Sequence, residues 1–161
     1  MLLSFSSAFA QEPTKPTEEH QGLAKMEGDW DAVMKSEYGE SKGTATYKMQ
    51  DGGLWLASEF KMNDDSFSGH GIDGYDVAKK KFIGIWTDSV STTPMIMEGT
   101  WDDAEKMMTM TGKGPGPDGK PATFKSIGKH PDDDHMTFEL FVTSPAGPET
   151  KMLSIEYTRK K

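Results

Sequence analysis

Cysteine is absent from all 161 residues, so disulfides, thiol catalysis and thiolate metal sites are excluded together. Positive charge is also scarce. The chain has 18 Lys and Arg against 26 Asp and Glu, a formal charge of −8, whereas nucleic acid or an anionic membrane surface requires clustered cations. The closing Arg159-Lys160-Lys161 is too short to reverse that balance and reads as a solvated tail. No apolar run approaches the roughly 20 residues of a membrane helix, so the mature chain is expected to have no integral membrane segment. Helical periodicity is nearly missing as well. Only Leu23 and Met26, three apart and followed by Gly28, suggest a helical turn or two, closing onto one end of a sheet.

The N-terminus holds an address signal. Leu2-Leu3-Ser4-Phe5 leads into Ala8-Phe9-Ala10, the small-x-small pattern read by signal peptidase. No basic stretch precedes it, so residues 1–10 are expected to be a truncated signal peptide, with a short apolar tail as the alternative. A periplasmic or secreted location follows from the first reading. Residues 11–19 are Gln, Pro, Thr, Glu and Lys without an aliphatic or aromatic residue other than proline, the composition of a flexible tether. Residues 20–161 are then a single domain, long enough to bury one core.

From Asp29 onward the chain alternates in short runs broken by Gly, Asp, Asn and Pro. About ten strands are expected, near 29–37, 41–50, 54–62, 66–75, 80–88, 93–101, 106–113, 121–130, 135–143 and 150–159. Spacing that even, with no helices between, predicts an all-β meander. Short sequential connections favour closure into an up-and-down antiparallel barrel over a sandwich.

Two hairpins share a pattern that sets their phase. Tyr75-Asp76-Val77-Ala78-Lys79-Lys80 and Trp101-Asp102-Asp103-Ala104-Glu105-Lys106 both read aromatic-Asp-x-Ala-x-Lys. The aspartate can accept a backbone N–H two residues on and close the turn. With four residues per turn, Trp101 faces Lys106 and Met97 faces Met110. Met95, Met97, Trp101, Met108 and Met110 then share one face, with Gly99 and Gly112 opposite bulky partners. The same spacing groups Phe67, Phe82, Trp86 and Asp88, with Gly69 opposite Trp86. A slip of one residue would exchange the faces.

Several stretches resemble the uncharacterised bacterial family catalogued as domain of unknown function 1579. They are Leu23-Ala24-Lys25-Met26-Glu27-Gly28-Asp29-Trp30, Gly69-His70-Gly71-Ile72-Asp73-Gly74-Tyr75-Asp76 and Lys79-Lys80-Lys81-Phe82-Ile83-Gly84-Ile85-Trp86-Thr87-Asp88-Ser89. Glu98-Gly99-Thr100-Trp101-Asp102 and Ile155-Glu156-Tyr157-Thr158-Arg159-Lys160 complete the set. The resemblance implies a lipocalin-like barrel and brings no established activity with it.

Other constellations read more plainly. Gly69-His70-Gly71-Ile72-Asp73-Gly74 imitates a dinucleotide fingerprint, but Tyr75-Asp76 opens a turn where that motif requires a helix. These glycines are expected to make room for a tryptophan. His130-Pro131-Asp132-Asp133-Asp134-His135 has metal-binding residue types at no established cage spacing, and reads as a solvated turn. The twelve methionines include types that select Cu(I), yet on a core face they are adaptable filler. No metal site is expected from these residues, and they identify no cofactor.

The candidate ligand-binding residues are Trp86, Asp88, Met97, Trp101 and Met110. Four of them would line a roomy interior, and Asp88 would sit at its mouth to orient a ligand or serve as a base. The expected partner is a small apolar molecule. The alternatives are an enzyme using Asp88 as an acid–base carboxylate, with Tyr75 or His70, or an interaction protein with a packed barrel. A haem pocket needs an inward histidine, and this phase turns His70 outward.

Overall fold

The computed structural model describes residues 14–145 and 147–161, and the expected signal segment lies outside them. Helix α1 (Glu18–Ala24) begins within the expected tether. Thr17 starts it two residues early, because its backbone N–H donates to His20 Nδ1 at 3.1 Å and its hydroxyl lies 2.9 Å from the same atom. Those bonds occupy groups that a helix start leaves without intrahelical partners.

Ten strands follow among the described residues, from β1 (Gly28–Ser36) and β2 (Gly39–Gln50) through β3 (Trp55–Met62), β4 (Ser68–Asp76) and β5 (Lys81–Asp88). The second half comprises β6 (Met95–Asp102), β7 (Met107–Pro115), β8 (Pro121–Lys129), β9 (His135–Thr143) and β10 (Glu149–Arg159). Each strand pairs antiparallel with its sequence neighbour, and β1 pairs with β10, so the sheet closes into a barrel without free edges. The up-and-down meander expected from the spacing is the observed fold.

Both signature hairpins slide by two residues from the expected pairing. Asp76 pairs with Lys81 and Asp102 with Met107, so the turns are 77–80 and 103–106. Lys80 and Lys106 close them in the left-handed region, at φ 53 and 48. Asp76 Oδ1 accepts the Ala78 and Lys79 N–H groups at 2.9 and 3.0 Å, and Asp102 Oδ1 accepts those of Ala104 and Glu105, both at 3.0 Å. A two-residue slide changes partners and preserves faces. Met97 therefore lies opposite Gly112 and Gly99 opposite Met110, while Trp86 lies opposite Gly71 and Asp88 opposite Gly69.

The outward face is charged. Lys79–Glu98, Lys35–Glu156, Lys151–Glu139 and Lys125–Glu149 pair across it at 2.6 to 2.9 Å, and His70 lies there beside Glu59. One barrel end is covered by α1, where Leu23, Leu56 and Phe82 are buried together. Arg159 seals the same end. It stacks 4.1 Å above Trp30, and its guanidinium donates to the backbone oxygens of Lys25, Glu27 and Asp133. The opposite end carries the turns after β1, β3, β5, β7 and β9. A cleft of about 740 Å³ opens there, and its walls include Gly114, Pro115, Ala122 and Thr143.

Candidate functional site in the barrel interior

Pairing parity decides which side chains face inward. On β2 it turns in Gly43, Ala45, Tyr47 and Met49, and on β3 Leu56, Ser58, Phe60 and Met62. On β4 the inward set is Gly69, Gly71, Asp73 and Tyr75, facing Asp88, Trp86, Gly84 and Phe82 of β5. The apolar packing around this interior is divided. One cluster, with Trp30, Phe60 and Tyr157, lines β1–β3, β9 and β10, while Met97, Ala122, Phe124 and Val142 form another across β6, β8 and β9. A third lies under α1. Between them Tyr47, Asp73, Trp86, Met110, Phe138 and Leu140 are only half-buried although they point inward. A core filled to the usual density would enclose them fully. The interior retains space.

Asp73 stands in that space. Its carboxylate accepts no hydrogen bond from any described residue, and no Lys, Arg or His forms an ion pair with it. Gly84, its cross-strand partner, has no side chain to cover it: a Cβ there would lie 2.6 Å from Asp73 Oδ1 and 3.4 Å from the Met110 methyl. The Asp73 carboxyl and the Met110 thioether therefore converge over a bare stretch of backbone. Gly71 leaves similar room for Ser58 Oγ and the Trp86 ring. Burial pushes the Asp73 carboxyl up to about 7, because an apolar wall disfavours the charged form.

Two phenols accompany it. The Tyr47 and Tyr157 rings meet edge-on with centroids 6.4 Å apart. Burial, then the neighbouring Tyr157, then the Asp73 charge hold the Tyr47 phenol well above its ordinary range. Tyr157 is pushed up to about 12, again by burial first. Both stay protonated at any physiological pH, so each can donate a hydrogen bond. Around this point the interior thus offers the Asp73 carboxyl and the Tyr47 and Tyr157 hydroxyls within a wall of Met, Trp, Phe and Leu.

The five residues expected from sequence all face inward but are spread along the barrel axis. Met97 is buried in the second cluster and Met110 borders Gly84. Trp86 lies toward the uncovered end and donates through Nε1 to Asp88 Oδ2 at 3.1 Å. Asp88 Oδ1 accepts the Val90 N–H at 3.0 Å, so this carboxylate also holds its own loop. Trp101 sits at the covered end with the His130 ring 5.5 Å away, and its Nε1 donates to Asp103. Asp88, Tyr75 and His70 do not assemble. His70 is on the outer surface, and Tyr75 lies at the covered end against the His20 ring.

Asp73, Tyr47 and Tyr157 went unrecognised in the sequence, although the signal was present. The phase that turned Gly69 inward also turns in every second residue of β4, and Asp73 is the second such residue beyond it. In the sequence it stands within a glycine-rich string that imitates a dinucleotide fingerprint. In the acidic turn, His135 Nδ1 meets Asp132 Oδ1 at 2.9 Å, whereas His130 is turned toward Trp101.

Fold and interior together define a class: a closed, ten-stranded, lipocalin-like barrel with a polar anchor inside an apolar wall. The family described as "Protein of unknown function (DUF1579)" matches residues 15–159, and the chain belongs to it. Among solved structures, Rv2717c from M. tuberculosis is similar at 14% identity over 90% of this chain and 99% of that one, with a TM-score of 0.63. That likeness extends to the fold. A redesigned β-barrel covers 86% of this chain and 95% of its own at 12% identity and a TM-score of 0.38, too slight a likeness to argue from. No curated protein matches the chain.

Proposed function

We propose that the barrel binds a small, largely apolar molecule in its interior, entering from the end that α1 leaves uncovered. The observation that carries this reading is the half-buried inner surface around Asp73, in a fold whose packing is otherwise divided among separate clusters. Trp86, Met97 and Met110 supply apolar wall, and Asp88 restrains Trp86 near the mouth. Ligand sites commonly combine such a wall with a few placed polar groups. The Ala8-Phe9-Ala10 sequence supports an extracytoplasmic place of work. Native mass spectrometry of protein purified from its own compartment is expected to show a bound small molecule that solvent extraction removes. Titrating the extracted protein with N-phenyl-1-naphthylamine should perturb tryptophan fluorescence. A bare mass together with an unresponsive titration overturns the reading.

The same carboxyl supports a second reading, acid–base catalysis on a bound substrate. A group that titrates near neutrality exchanges protons readily at physiological pH, and the Asp73 carboxyl is such a group. Turnover lost in Asp73→Asn but retained in Asp88→Asn is the expected signature.

A further inference from the structure

Taking the interior as a binding site, we infer that its ligand carries a protonated amine, or an equivalent cationic donor, and that Asp73 is the residue that holds it. The argument starts from charge. Inward positions of β5 to β9 contain no Lys, Arg or His, and Asp88 at the mouth is their only titratable residue. From β2 and β10 the titratable groups facing Asp73 are Tyr47 and Tyr157, both neutral. Tyr75, on the same strand, is turned to Glu19 and His20 of α1. Arg159, the nearest inward cation on β10, is committed to Trp30 and three backbone carbonyls at the covered end. His130 is occupied against Trp101.

The protein therefore provides an inward, half-buried acceptor and, among the described residues, no internal cation to satisfy it. Leaving such a group unpaired is costly, so whatever pairs with it gains most of the recognition energy. An ammonium group matches on two further counts. Trp86 and Tyr47 are inward and half-buried beside the same space, and aromatic rings attract cations when water is excluded. Gly84, opposite Asp73, carries no side chain to cover the carboxylate, while Gly71 is covered by Ser58 Oγ and the Trp86 ring. A carboxylic acid ligand would meet Asp73, Asp88 and no cation. An alcohol would fit sterically but leave the negative charge uncompensated.

Proton linkage gives the inference a signature. An ammonium binds the ionised form of Asp73, which burial makes scarce below about pH 7. Affinity for a cation should thus fall as pH drops, by up to about tenfold per unit. A ligand that needed Asp73 as a hydrogen-bond donor would show the opposite slope.

The test uses the full barrel, cleared of any resident molecule, and isothermal titration with octylamine, octanol and octanoate near pH 8 and near pH 5.5. Octylamine is expected to bind at least about tenfold tighter than octanol near pH 8, with the advantage lost near pH 5.5. Asp73→Asn should abolish the preference for the amine and retain octanol. Equal binding of amine and alcohol near pH 8, strongest binding of octanoate, or an unchanged preference in Asp73→Asn each overturns the amine assignment while leaving interior binding intact. If none of the probes binds, interior binding falls and this inference with it. The wild-type pH profile decides the point even if the variant does not fold.

Discussion

Asp73 is placed where an aspartate is least at home, and the consequence reaches beyond recognition. Its folded-state carboxyl titrates at about 7 against an ordinary 3.8. Being raised on folding, the group leaves stability fully present below the unfolded value. That contribution is lost as pH rises through the folded one. The empty barrel should accordingly weaken between about pH 4 and pH 7, by on the order of 4 kcal/mol. Asp73→Asn keeps the shape and removes the charge. Urea unfolding should show it more stable than wild type near pH 8 and about equal near pH 4. Indistinguishable unfolding curves near pH 8 would mean that the carboxylate is not desolvated.

At the scale of elements, the two signature hairpins show how a short polar code sets a long apolar pattern. Asp76 and Asp102 each accept two backbone N–H groups, and a left-handed lysine ends each turn. Those bonds fix where β5 and β7 begin, and hence which of their residues face inward. Asp76→Ala and Asp102→Ala should each cost about 1 kcal/mol in denaturant unfolding. If either change is silent, cross-strand packing alone holds the register. The expected turns lay one residue too early, because a lysine at positive φ has no distinct sequence mark. Face assignments survived, since the resulting slide was even.

Closure is a property of the whole molecule, and Arg159 shows what it requires. One guanidinium ties β10 to the backbone between α1 and β1, to the turn after β8, and to the face of Trp30. Arg159→Ala should lower stability by about 2 kcal/mol. Arg159→Lys should recover only part of that, because an ammonium has no planar fork to serve several carbonyls at once. Thermal melts of the three proteins would show full recovery by lysine if charge alone mattered. The exposed ion pairs around the outer wall should add little, since solvent screens each of them.

Alternation, glycine placement and turn aspartates in the sequence by themselves determined the strand count, the meander and the inward phase of Trp86, Met97, Trp101 and Met110. These are local or nearest-neighbour properties, readable because a strand repeats every two residues. Only the tertiary structure decided which inward residues meet. Tyr47, Asp73 and Tyr157 come from strands far apart in the chain and gather because the sheet closes, whereas Asp88, Tyr75 and His70 are separated by the barrel wall and its length. Desolvation follows the same logic. No spacing along the chain records how much water an enclosed carboxyl retains, because that depends on every strand around it.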